Sequence, residues 1–384
     1  MMSRTTLFKM TKNVNSWSPV HRTLLTKQNM VSKNIYTAYQ DYLPTLIDNA
    51  LSHKRFERLP EVKDRIKRIS EYNIIGGKQL RGLLTLFTYE TLKKPDPISD
   101  ELWEEAFKLA WAIEMLQAVF IISDDVDDDA VTRRGKKCWH LLPDVGLLVI
   151  NDVSLFRSFI HEVLRQNFGD KPNYTQIINL FNETIFNTSM GQHLDCMLKY
   201  LKNPGDFNDE NYRKMSIYKT SHYTFRLPIL LAMIHSQKGT KDSYQYIDNI
   251  CDEIGINLQM QNDFMDCFVD ENSMGKTGTD IQTGQLTWLA VEALKRCNSA
   301  QRKEFDLCYG NQDPVYVERV RNLYKELGLP QVYRQLEKTR YEKILKQIND
   351  LPPGAVPNPE VFLKALDLIY NKTQIINYSQ NGKN

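Results

Sequence analysis

From about Ile35 onward, apolar residues recur at three- and four-residue intervals, the period of a helix that buries one face. The pattern predicts helices over 35–58, 60–72, 77–93, 101–129, 145–168 and 174–202. It continues over 209–219, 222–236, 242–268 and 281–296, then 300–309, 313–325, 329–348 and 358–371. Turn chemistry separates these runs: KKPDPISD at 93–100, GDKPN at 169–173, NPGD at 203–206 and PPGAVPNP at 352–359. Ser99 or Asp100 stands where a cap for the helix after the first turn is needed. No alternating stretch is long enough for a sheet, and the β-branched run Val119–Ile122 lies inside helical periodicity. The chain is therefore expected to be all-α. With no strong break between about 35 and 375, it reads as one helical domain over 35–375. A basic extension, 1–34, precedes it and a polar tail, 376–384, follows.

The 384 residues are 42% hydrophobic, enough for a large helical core. No uninterrupted apolar run reaches the roughly 18 residues that would cross a bilayer, so no transmembrane segment is expected. A net charge of +2 offers no broad basic surface, which argues against a nucleic-acid partner. The charge is unevenly placed. Residues 1–40 hold six Lys/Arg and no Asp or Glu, leaving 43 basic against 47 acidic residues in the rest. Such a start fits a mitochondrial transit segment or a plain polar tail, hence a mitochondrial or cytoplasmic location. The six cysteines form no CxxC pair and read as buried free thiols.

The most informative stretch is ISDDVDDDAVTRRG at 122–135. Asp124 and Asp128 are four apart, so a helix sets both on one face, where like charges repel. They also sit at the expected C-terminal end of the helix, where the dipole disfavours anions. A solvated acidic helix end is the plain alternative, but a divalent cation would compensate the charge, and hard carboxylate oxygens, Asp125 included, suit magnesium. Arg133 and Arg134 follow directly, with rigid forks that match phosphate oxygens.

LQMQNDFMDCFVDENSMGKTGTD at 258–280 repeats the theme. Asn262, Asp266 and Asp270 are spaced by four, with Asp263 one step around, and Lys276 follows in a glycine-bearing loop. Two acidic helices facing each other across a bundle would hold metal ions and a diphosphate, with apolar helix surface behind for a hydrocarbon. Val119, Phe120 and Phe186 are candidates for that surface, with ordinary core packing as the alternative.

Together these motifs resemble the short-chain trans-prenyl diphosphate synthases, specifically the farnesyl diphosphate synthase type, over roughly residues 40–375. DDVDD (124–128), TRRGKKCW (132–139), GGKQLRG (76–82), GQHLD (191–195), YKTSHYTF (218–225) and GKTGTDI (275–281) all match. The resemblance implies a helical bundle around a central cavity, a homodimer and use of Mg2+, three ions in the family. It implies metal ligands at Asp124, Asp125, Asp128, Asn262, Asp263, Asp266 and Asp270. Lys78, Arg81, Gln117 and Arg134 would bind the isopentenyl diphosphate, and Arg133, Lys219, Thr220, Gln259 and Lys276 would meet the allylic diphosphate. Asp124, Asp128, Arg133, Lys219 and Lys276 would carry catalysis.

Several positions depart from the synthase pattern. Asn262 replaces the first Asp of the second motif, Gln285 replaces a lysine that contacts the allylic diphosphate, Leu80 replaces an asparagine, and the chain ends NYSQNGKN rather than in basic residues. Each change lowers positive charge or ligand strength. The triad Asn262, Asp266, Asp270 also resembles the magnesium triad of terpene cyclases in its spacing and leading Asn. The leading expectation is accordingly a diphosphate-releasing lyase, a terpene synthase converting farnesyl diphosphate to a sesquiterpene. The alternative is a prenyl diphosphate synthase, favoured by the retained Lys78, Arg81, Gln117 and Arg134.

Overall fold

The computed structural model describes residues 30–201, 204–239, 241–270 and 275–369. The proposed tail 376–384 and nearly all of the extension 1–34 lie outside the described residues. The chain is already packed at Met30 and Val31, which are buried in the core.

Helices α1 (Lys33–Leu51), α2 (Pro60–Asn73), α3 (Leu80–Lys93), α4 (Asp100–Asp127), α5 (Val149–Phe168) and α6 (Tyr174–Leu201) build the first half. The second half holds α7 (Asp209–Ser216), a π-helical segment (Ile217–Arg226), α8 (Leu227–Ser236) and α9 (Lys241–Phe268). It continues with a single turn, α10 (Asp280–Thr283), then α11 (Trp288–Arg296), α12 (Ser299–Cys308), α13 (Pro314–Glu326), α14 (Leu329–Asn349) and α15 (359–369). The all-α expectation holds, as a helical bundle around a central cavity.

Helix α4 is the axis of the fold. Its apolar residues are spread around the whole circumference, as in a helix enclosed on every side. Ser99 caps it by accepting from Leu102 N, and Asp100 and Glu101 in the first turn suit the dipole. By length and composition α4 is apolar enough to cross a membrane, with a window of mean hydropathy 1.5, but 72% of that window is buried inside the protein. Helices α3 and α5 pack against α4, and α6 and α9 close over the π-helical segment. One apolar core joins α1 to α6 with α8 and part of α9; another joins α7, the end of α9 and α11 to α14.

Three local differences from the sequence expectations matter. The helix expected from 77 begins at Leu80, because Gly76 (φ 90°) and Gln79 (φ 52°) are left-handed and GGKQ forms a loop. The stretch after α4 forms a two-stranded hairpin, β1 (Thr132–Arg133) against β2 (Lys136–Lys137), turned by Arg134 (φ 55°) and Gly135 (φ 74°). Helix α9 stops at Phe268, short of Asp270. All six cysteines are free, four of them buried.

Candidate active site

A cavity of about 520 Å³ opens between the GGKQ loop, α4, α6, the π-helical segment, α9 and the loop that follows it. Its first acidic wall is the last turn of α4, which turns Asp124 and Asp128 inward. Asp125 is buried beneath, held by Arg133 Nε at 2.7 Å. Lys219 bridges Asp124 Oδ1 at 2.9 Å and Asp195 Oδ2 at 2.6 Å. Burial raises the Asp124 carboxyl, but Lys219 and Arg133 overcome that and hold it well below the usual carboxylate range. Asp128 goes the other way: burial, then the charge of Asp124, push it up to about 8.

The position of Lys219 depends on a close approach of backbones. A Cβ on Gly191 in α6 would lie 2.1 Å from Lys219 N, so only glycine lets the π-helical segment seat there. The widened turn then presents Lys219, Thr220, Tyr223 and Thr224 to the cavity. Thr220 Oγ1 donates to Gln259 Oε1 at 2.6 Å, and Gln259 Nε2 donates to Asp263 at 2.8 Å.

The second wall is α9. Asn262 lines the cavity. Asp263 is buried and accepts from Gln259, the Tyr212 hydroxyl and Trp288 N, so in this structure it anchors α7 and α11 to the wall. Asp266 Oδ1 accepts from Asp280 N, while Oδ2 is buried without a hydrogen bond and has Lys276 Nζ at 3.1 Å. Asp270 is exposed and lies beyond the helix end, so the triad Asn262, Asp266, Asp270 is not assembled around the cavity. Four-residue spacing aligns side chains only while the helix lasts.

The other end of the cavity is cationic. Lys78 stands exposed at its mouth. Arg81 donates to Thr224 Oγ1 at 2.7 Å and lies over the Tyr223 ring, 4.2 Å from its centroid. Arg134 donates from Nη1 to the carbonyls of Asn73 (2.6 Å) and Ile74 (3.2 Å), which steadies its left-handed backbone. Gln117 lines the same end, as does the buried Glu114, whose Oε1 accepts from Gly82 N at 2.8 Å. Of the expected apolar lining, Phe120 faces the cavity and Val119 is buried against a second cavity. Phe186 is 65% exposed on the outer side of α6 and lines neither.

The donor chemistry suits a hard divalent ion. Carboxylates and the Asn262 amide face one another from two walls, and burial with mutual repulsion raises Asp128 and Asp280. Among the described residues no three His, Cys, Asp or Glu side chains converge closely enough to hold an ion unaided. Oxygens of a bound anion would have to complete any such shell.

Motif reading left out several residues that complete this arrangement. Asp195 and Asp280 lie inside quoted motifs and face the cavity, and Gln192 donates to Asp127 at 3.0 Å. Asp195 was within reach of the sequence, since a helix over 174–202 sets it one turn beyond Gly191. Lys199 and Glu114 gave no signal, because their partners are remote in sequence.

A polyprenyl synthetase family model matches residues 63–327. The farnesyl pyrophosphate synthase of Zea mays is 37% identical over 337 residues, covering 87% of this chain and 95% of its own. That of Murgantia histrionica is 35% identical, covering 82% and 77%. Among solved structures, the T. brucei farnesyl diphosphate synthase complexed with risedronate superposes with a TM-score of 0.80 at 28% identity, covering 88% of this chain and 98% of its own. These comparisons overturn the expectation of a terpene synthase, and with it the lyase and sesquiterpene readings: the relatives are named synthases of farnesyl diphosphate, not cyclases. The departing residues Asn262 and Gln285 are therefore variation within a synthase scaffold. The chain belongs to the trans-isoprenyl diphosphate synthase family.

Proposed function

We propose that this protein is a magnesium-dependent prenyltransferase of the farnesyl diphosphate synthase type, condensing an allylic diphosphate with isopentenyl diphosphate. The observation that carries this reading is a cavity with cationic side chains at both ends. Lys219, Lys276 and Arg133 stand among the acidic walls, and Lys78, Arg81, Gln117 and Arg134 line the other end. An enzyme that only ionises one diphosphate has no use for the second set.

Asp124, Asp128, Asn262 and Asp266 would hold the magnesium ions, three by family resemblance, with Asp125 and Asp263 bracing them from behind. When bound, magnesium supplies Lewis-acid stabilisation of the departing diphosphate. Arg133, Lys219 and Lys276 bind and orient that diphosphate, and their fixed charges favour C–O cleavage to the allylic cation. Thr220 and Gln259 fix the wall against which it lies. Arg81 and Arg134 place the isopentenyl double bond to attack the cation; the released diphosphate then takes the adjacent proton, and the C–H electron pair closes the new double bond. Phe120 and Tyr223, packed edge to face with ring centroids 5.2 Å apart, keep water from the cation between the two ends.

The catalytic body is proposed to be the helical domain read over 35–375. A homodimer is supported by Phe186, Met190, Met197 and Tyr200, exposed at helical spacing along α6. Sedimentation should give twice the 44.9 kDa chain mass. The basic start supports a mitochondrial or cytoplasmic location; an Arabidopsis thaliana relative, 34% identical, is named a mitochondrial farnesyl pyrophosphate synthase.

The test is incubation with dimethylallyl and isopentenyl diphosphates and magnesium, against farnesyl diphosphate alone. Geranyl and farnesyl diphosphates are expected from the first. Hydrocarbon from the second, with no condensation in the first, would overturn the proposal.

A further inference from the structure

Lys199, in the last turns of α6, is only 5% exposed, although lysine is almost never buried without a partner. Its Nζ donates to the carbonyl of Asp127 and lies 3.8 Å from Asp128 Oδ1. The end of α4 is thus met by a cation where its dipole is negative. Gln285 reaches Asp128 from the opposite side, its Nε2 donating to the same Oδ1. Gln285 is itself fixed, because the Tyr309 hydroxyl donates to its carbonyl at 2.6 Å. The oxygen of Asp128 that accepts from Gln285 is also the one nearest the Lys199 ammonium. Loss of a cation at position 285, read from sequence as a weakening of the site, is thus accompanied by a lysine at 199 that reaches the same carboxylate from another helix.

We propose that Lys199 is a resident counter-cation of the first aspartate motif. It positions Asp128 before a divalent ion arrives and competes with that ion for the carboxylate. This rests on the assignment of Asp128 as a magnesium ligand. Lys199 acts through Asp128 and is a positioning residue: it does not line the cavity, whereas Asp128 does. Removing its charge takes away one of the two lysines that act on Asp128, Lys219 being the other, and removes a repulsion felt by the incoming ion. The two effects have opposite signs, which a purely structural lysine would not produce.

The experiment follows thermal unfolding of the full chain in chelator, then across a magnesium chloride titration at fixed inorganic pyrophosphate. Lys199→Met should melt below wild type in chelator, and the gap should close as magnesium is added. Its magnesium midpoint should fall about threefold to tenfold, the order expected for loss of one partly screened charge. Lys199→Arg should keep the wild-type midpoint. In an Asp128→Asn background, Lys199→Met should no longer move it. If Lys199→Met does not fold, Lys199→Gln carries the same measurement. An equal melting deficit with and without magnesium, at an unchanged midpoint, overturns the proposal and leaves Lys199 a helix cap. Absence of any magnesium effect on wild type would instead overturn the metal assignment on which it rests.

Discussion

Gly191→Ala tests how the site is held in place. The added Cβ would lie 2.1 Å from Lys219 N, 2.5 Å from the Tyr218 carbonyl carbon and 2.7 Å from Lys219 Cα. Ordinary contacts lie at about 3.5–4.0 Å, so α6 and the π-helical segment must part by about 1 Å or more. All three atoms are backbone, so no side chain can rotate away. Overpacking of this type costs about 1–3 kcal/mol, and a clash with backbone belongs at the upper end. At roughly 2 °C per kcal/mol for a chain of this size, melting should fall by about 4–6 °C. The larger consequence is catalytic. Lys219 moves with its backbone, and its contacts with Asp124 at 2.9 Å and Asp195 at 2.6 Å stretch. A misplacement of about 1 Å can cost up to about 100-fold in rate, so kcat/KM for condensation should drop by about 10–100-fold. The assay is steady-state incorporation of labelled isopentenyl diphosphate beside a melting curve. Wild-type values in both would show that the two backbones are not in contact at Gly191, and the account of Lys219 would fail.

Asp124→Ala and Asp128→Ala should each abolish condensation at limiting magnesium; near-normal turnover in both would remove the metal assignment. Asp195→Asn should leave Lys219 paired with Asp124 alone and lower kcat by about tenfold, in the range for a weakened electrostatic contact; an unchanged kcat would show that Lys219 needs no second carboxylate. Deletion of residues 2–29 should leave rate and melting unchanged, since that segment precedes the first helical periodicity and holds no Asp or Glu; a soluble but inactive product would place that segment in catalysis.

What the sequence determined by itself is local. Apolar periodicity over 101–129 identifies a long helix, Ser99 or Asp100 its start, and the spacing of Asp124 and Asp128 a shared face, because helix periodicity operates over three or four residues. DDVDD and the loop GKTGTD were legible from local carboxylate spacing and a nearby cation, whereas GGKQLRG was legible only by its resemblance to the synthase family. Extrapolating the period past its helix misplaced Asp270, because α9 ends at Phe268 and a loop does not continue the face. Phe186 was misread because helical spacing says which residues share a face, not which way the face turns. The tertiary structure alone decided the pairings. Gln285 meets Asp128 across 157 residues, and Lys199 meets the Asp127 carbonyl across 72. Such contacts are set by how whole helices pack, through close approaches such as Gly191 on Lys219, and no local pattern encodes them. A lost lysine at 285 therefore looked like a weakened site in one dimension. In three dimensions Asp128 still has a buried lysine beside it.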